Sequence, residues 1–107
     1  MADVEPEAEA AGGARDVHAL CEALLQLRTR EEAQRFLRDL TTPGELAALA
    51  ERWRVARLLD EGGLSYREIA AQTGSSTTTV TRVARFLCQE DHQGYRLVLD
   101  RLKETAS

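Results

Sequence analysis

Residues 65–87 read SYREIAAQTGSSTTTVTRVARFL, and their middle looks unsuited to a helix. Five threonines and two serines fall between Thr73 and Thr81. Their hydroxyls compete for the backbone and β-branching stiffens χ1, so both types are mediocre helix formers. Yet the flanks carry helical spacing. Tyr66, Ile69, Ala70 and Thr73 share an inward face, and Val80, Val83, Ala84 and Leu87 share another. Opposite the second of these lie Thr78, Thr81, Arg82 and Arg85, with no Asp or Glu anywhere from Ser75 to Leu87. Thr73-Gly74-Ser75 makes a tight turn between the two helices. Ala70 is small enough for close approach, Gly74 takes the turn, and Val80 plugs the angle. Together they predict a helix-turn-helix over about 65–88.

That motif explains the hydroxyls. A recognition helix enters the DNA major groove by its N-terminal end, where small side chains let the backbone come close. Hydroxyls bond to phosphates or base edges, and threonine methyls meet thymine methyls. The helix N-terminus favours phosphate as well. Ser75 and Ser76 compete for the N-cap, which offsets the weak propensity of the next residues.

Outward from the motif, the sequence predicts an all-α chain of six helices. Val17, Leu20, Cys21, Leu24 and Leu27 lie on one helical face, with Asp16 as the expected N-cap. After Thr29, the residues Ala33, Phe36, Leu37 and Leu40 repeat the pattern. Thr42, Pro43 and Glu45 open a third helix as cap, first position and capping-box partner. Its apolar positions spread over more than one stripe, so burial against several neighbours is expected. Gly62-Gly63 ends it. Ser65 and Glu68 form a second capping box before the short helix. The last helix presents Tyr95, Val98, Leu99 and Leu102, and His92 is expected to start it.

Composition sets the limits. The chain has 107 residues, room for one domain but not two. Residues 1–14, MADVEPEAEAAGGA, are acidic and aperiodic and read as a disordered tail ahead of a domain at 15–107. No apolar run approaches a membrane span, and no export signal opens the chain. With Cys21 and Cys88 as reduced thiols, a cytoplasmic location is expected. Net charge is −4, which argues against indiscriminate coating of nucleic acid. Residues 52–86 nonetheless carry six arginines against three carboxylates, so the basic excess sits on and just before the motif. His18 with Cys21, and Cys88 with His92, have helical spacing but fall short of the four ligands a structural zinc takes. No nucleophile motif, Walker loop or H-E-x-x-H is present, so neither an enzyme, a metal site nor a cofactor is expected.

The stretch LTTPGELAALAERWRVARLLDEGGLSYREIAAQTGSSTTTVTRVARFL, residues 40–87, resembles the Trp repressor superfamily and looks closest to its YerC/YecD-like branch. The match includes Leu40-Thr41-Thr42-Pro43 at its start and Thr79-Val80-Thr81-Arg82 near its end. It implies an intertwined homodimer whose two reading heads bind a pseudo-palindromic operator on double-stranded DNA. By that likeness Arg67 reaches a guanine edge, and Ser75, Ser76, Thr77 and Thr78 form the recognition tip. Thr81 contacts phosphate with Arg82 and Arg85 beside it, and Tyr66 takes a phosphate neighbour's place. Ala70 stands where the Trp repressor has a lysine.

The resemblance also places Thr42, Arg52 and Arg82 among residues lining a tryptophan site. Here Val83 replaces a glycine, Phe86 a serine and Trp53 a valine. The expectation is a pocket filled by the protein's own side chains and a transcriptional regulator, as a repressor, that works without tryptophan. Two alternatives stay open. One is a repressor dependent on tryptophan or a similar small molecule. The other is a helical protein-interaction module.

Overall fold

Local punctuation builds the helices of the computed structural model, which describes residues 6–106, with side chains from residue 12 onward. Six helices and no strand occur among the described residues. The chain divides into two compact units, one ending at Thr42 and the other beginning at Pro43.

The first unit holds α1 (Pro6–Leu24) and α2 (Arg30–Leu40). α1 begins at Pro6, inside the segment that composition assigns to a disordered tail; residues 1–5 of that segment lie outside the described residues. Pro suits a first helical turn, and the Glu and Ala residues behind it are strong helix formers. Asp16 therefore lies within the helix rather than at its cap. The apolar face of α1 is open: Val17, Leu20 and Leu24 are exposed, and so is Cys21. In α2, Thr29 is the N-cap and its hydroxyl accepts from the Glu32 amide at 3.1 Å. Glu32 reaches back to accept from the Arg28 amide at 3.0 Å. No α2 residue is buried.

The second unit holds α3 (Pro43–Glu61), α4 (Tyr66–Thr73), α5 (Thr77–Cys88) and α6 (Gly94–Ala106). α3 packs on α4 and α5, those two pack on each other, and α6 lies on α5. Val55, Ala56, Ile69, Ala70, Val80 and Val83 form the core cluster. Trp53, Leu58, Leu59, Leu64 and Tyr95 close around it. Only Val55 and Ala56 of α3 are buried, and Leu49 is exposed. The broad burial expected of this helix is thus confined to its C-terminal half. Glycines at Gly62 and Gly63, with φ +77° and +88°, turn the chain out of α3.

Asp60 ties α6 to the end of α3. Its Oδ1 accepts from Arg96 at 2.8 Å and its Oδ2 sits 2.8 Å from Lys103 Nζ. Arg96 also reaches Asp100, one turn on, at 3.2 Å. α6 starts at Gly94, so His92 precedes it rather than starting it; instead its ring stacks on Phe86 with centroids 6.2 Å apart.

Candidate nucleic-acid interface

α4 and α5 are joined by a turn that each residue type explains. Ser65 accepts from the Glu68 amide at 3.1 Å, and Glu68 Oε1 accepts from the Ser65 amide at 2.8 Å, closing the predicted capping box. These bonds to Ser65 hold the Glu68 carboxyl below its ordinary pKa. At the other end Gly74 adopts φ 77° and its amide returns to the Ala70 carbonyl. Only glycine takes that conformation without strain. Thr73 Oγ1 lies 2.8 Å from the Ile69 carbonyl and 2.9 Å from Ser75 Oγ. Ser75 is thereby held in the turn, and Ser76 caps α5 by accepting from the Thr79 amide at 3.1 Å.

α5 then has two contrasting sides. Val80, Val83, Ala84 and Leu87 are buried, with Val80 wholly enclosed at the crossing of the helices. Thr77, Thr78, Thr81, Arg82 and Arg85 are exposed. Arg67 is exposed on α4. Tyr66 was expected on the inward face of α4 but is 46% exposed, so its phenol is available to solvent, whereas Ile69 and Ala70 are buried.

The hydroxyls fall into two groups. Ser75, Ser76 and Thr79 hydrogen-bond within the turn and cap. Thr81 donates 2.9 Å to the Thr77 carbonyl one turn back. The side chains of Thr77 and Thr78 sit exposed at the helix tip without a side-chain hydrogen bond among the described residues, which leaves them free for an incoming ligand.

Behind the front face lies a cleft of about 480 Å³. α3 contributes Arg52 and Trp53; α5 contributes Arg82, Val83 and Phe86; α6 and its approach contribute His92, Gly94, Tyr95 and Val98. Val83, Phe86 and Trp53, the side chains expected to fill a pocket, all border this cleft. Val83 is 1% exposed and packs into the core cluster rather than into the cleft's space. Phe86 lies flat against His92, beneath Arg82 at 4.5 Å and Arg85 at 5.0 Å from its centroid. Trp53 stacks on Tyr95 at 6.3 Å. The aromatic groups line the walls and leave the middle open. Sequence reasoning passed over Tyr95 and His92 as cleft residues, because their approach depends on how α6 returns over α5. Thr42 belongs to the first unit and is exposed there.

No three His, Cys, Asp or Glu side chains cluster as metal ligands among the described residues. No helix among them is long and apolar enough to cross a membrane.

Known proteins resemble this chain in sequence and in fold. YerC of Bacillus subtilis (strain 168), itself uncharacterized, is 42% identical over 91 residues, covering 85% of this chain and 86% of its own. A Trp operon repressor homolog of Chlamydia trachomatis serovar L2 is 36% identical over 76 residues, covering 67% and 81%. The crystal structure of a TrpR-like protein from Eubacterium eligens superposes with a TM-score of 0.76 at 38% identity, covering 83% of this chain and 90% of that one. The Trp repressor protein family matches residues 15–103, and with its six helices and its helix-turn-helix the chain belongs to that family.

Proposed function

We propose that the protein is a sequence-specific, DNA-binding transcriptional regulator, acting as a homodimeric repressor on a pseudo-palindromic operator in the cytoplasm. The observation that carries this reading is the two-sided α5. Its buried back anchors it to α3 and α4, while its exposed front offers Thr78, Thr81, Arg82 and Arg85. Arg67 and the Ser75–Thr78 tip read base edges, and Tyr66, Thr81, Arg82 and Arg85 hold phosphates. Residues 15–107 form the DNA-binding domain. Membership of a family whose relatives include a Trp operon repressor homolog supports the reading. Exposed apolar faces on α1 and α6 support a second copy as partner. Two heads related by a two-fold axis would sit about one helical turn of DNA apart, roughly 34–36 Å.

Selection of bound duplexes from a random pool, with and without L-tryptophan, tests this. A pseudo-palindromic motif enriched equally in both arms is expected. Absence of any enriched motif would refute the reading.

The open cleft favours a second reading, in which a small effector tunes the same protein. Arg52 and Arg82 supply guanidinium groups beside the flat rings of Trp53, Phe86 and Tyr95. Such a site suits a flat apolar carboxylate. None of the lining side chains is a carboxylate, so the ammonium group of an amino acid finds no ionic partner among them. That disfavours tryptophan. A melting temperature unmoved by L-tryptophan is expected; a reproducible rise, or a motif enriched only with tryptophan, would install tryptophan as the effector.

A further inference from the structure

The chain wraps tightly as it leaves α5. The amides of Gln89 and Glu90 both donate to the Arg85 carbonyl, at 2.8 and 3.1 Å. That return brings Glu90 back beside Arg85. Gln93 locks the wrap: it adopts φ 53° and its Nε2 donates 2.7 Å to the Glu90 carbonyl. Glu90 Oε2 then stands 3.6 Å from Arg85 Nε. The Arg85 guanidinium also lies over the Phe86 ring, its carbon 5.0 Å from the centroid.

The Arg85 and Glu90 side chains are 57% and 39% exposed, so this pair does little for folding. Its position is informative instead. Arg85 shares the exposed front face of α5 with Thr78, Thr81 and Arg82, a face whose charges are both positive. A turn stiffened by three backbone and side-chain hydrogen bonds thus holds one carboxylate at the edge of that face.

We propose that Glu90 is an intramolecular stand-in for a DNA phosphate, occupying Arg85 until a phosphate displaces it. This rests on the DNA-binding reading above. The contact acts as a brake. It lowers affinity for duplex of any sequence, since Glu90 must be displaced before Arg85 neutralises a phosphate. Base readout by Arg67 and the tip is untouched.

The test is a four-protein cycle of wild type, Glu90→Gln, Arg85→Ala and the double variant. Each is first checked for native helicity by circular dichroism, then titrated with random-sequence duplex over a range of salt. Glu90→Gln should bind about three- to tenfold tighter at about 0.1 M salt, with an unchanged salt slope, because Arg85 neutralises one phosphate in both complexes. In the Arg85→Ala background the same change should gain nothing. An equal gain in both backgrounds would mean plain repulsion of phosphate by Glu90 and would overturn the proposal. So would Glu90→Gln binding as wild type does while DNA binding itself is clear. If none of the four shows salt-sensitive DNA binding, the DNA reading falls and the brake falls with it.

Discussion

Arg67 and Thr81 are both exposed, but their chemistry predicts different losses. A guanidinium that makes paired hydrogen bonds to a guanine edge discriminates among bases. Arg67→Ala should therefore cost about 1–3 kcal/mol on the preferred operator and relax selection at one base pair. Competition binding against single-position operator variants reads both effects; unchanged affinity would remove Arg67 from the site. Thr81 is another matter. Its hydroxyl already donates to the Thr77 carbonyl at 2.9 Å, so giving that proton to a phosphate sacrifices an existing bond. The net gain is small, about 0.5–1.5 kcal/mol at most for a single hydrogen bond. Thr81→Ala should weaken all sequences alike by no more than this, leaving the selected motif unaltered. A change in the motif would make Thr81 a base reader.

Caps, turns and ion ties decide the elements. Gly74 adopts φ 77°, and a Cβ there would meet Glu51 Oε1 at 3.8 Å, an ordinary contact. Its replacement is therefore opposed by backbone conformation rather than by crowding. Gly74→Ala should destabilise the fold by about 1–2 kcal/mol in urea unfolding, and an unchanged midpoint would mean the turn relaxes freely. Asp60 joins α3 to α6 and is 9% exposed. The Lys103 hydrogen bond first, then that from Arg96, holds its carboxyl below the ordinary value of 3.8. Because the folded value is depressed, the stabilisation is fully present above about pH 3.8 and is lost as pH falls through the folded value. Wild type and Asp60→Asn should differ in unfolding midpoint at pH 7 and converge in acid; a constant gap would assign the tie to packing instead. The same scale shows what sequence reveals. Thr29, Ser65 and Gly74 act on neighbours three or four residues away, so their caps and turns are legible in the chain. The start of α1 is not, since its early residues favour helix one by one without any apolar period. The choice of Ser76 over Ser75 as cap depends on Thr73 capturing Ser75. The open cleft depends on α6 returning over Phe86, which no spacing within α5 announces.

At the scale of the whole molecule the imbalance is between buried and open apolar surface. Leu99 is the one buried residue of α6, while Leu97, Val98 and Leu102 are each about half exposed or slightly less. In the other unit Val17, Leu20 and Leu24 repeat the situation along α1. A chain of this size buries only a modest share of its surface unaided, and exposed apolar residues recur along two of its helices. A second copy would satisfy both faces without new sequence, and it would supply the two-fold axis that a palindromic operator requires. Light scattering should therefore give a mass of twice 11.9 kDa. Leu20→Glu or Leu102→Glu would place a carboxylate in that contact and should shift the mass to one chain. Because fully joined heads bind as one ligand, the same variants should lose operator affinity far more steeply than half-site affinity. A wild-type protein that stays at 11.9 kDa while still selecting a palindrome would place the two-fold contact on the DNA rather than in the free protein.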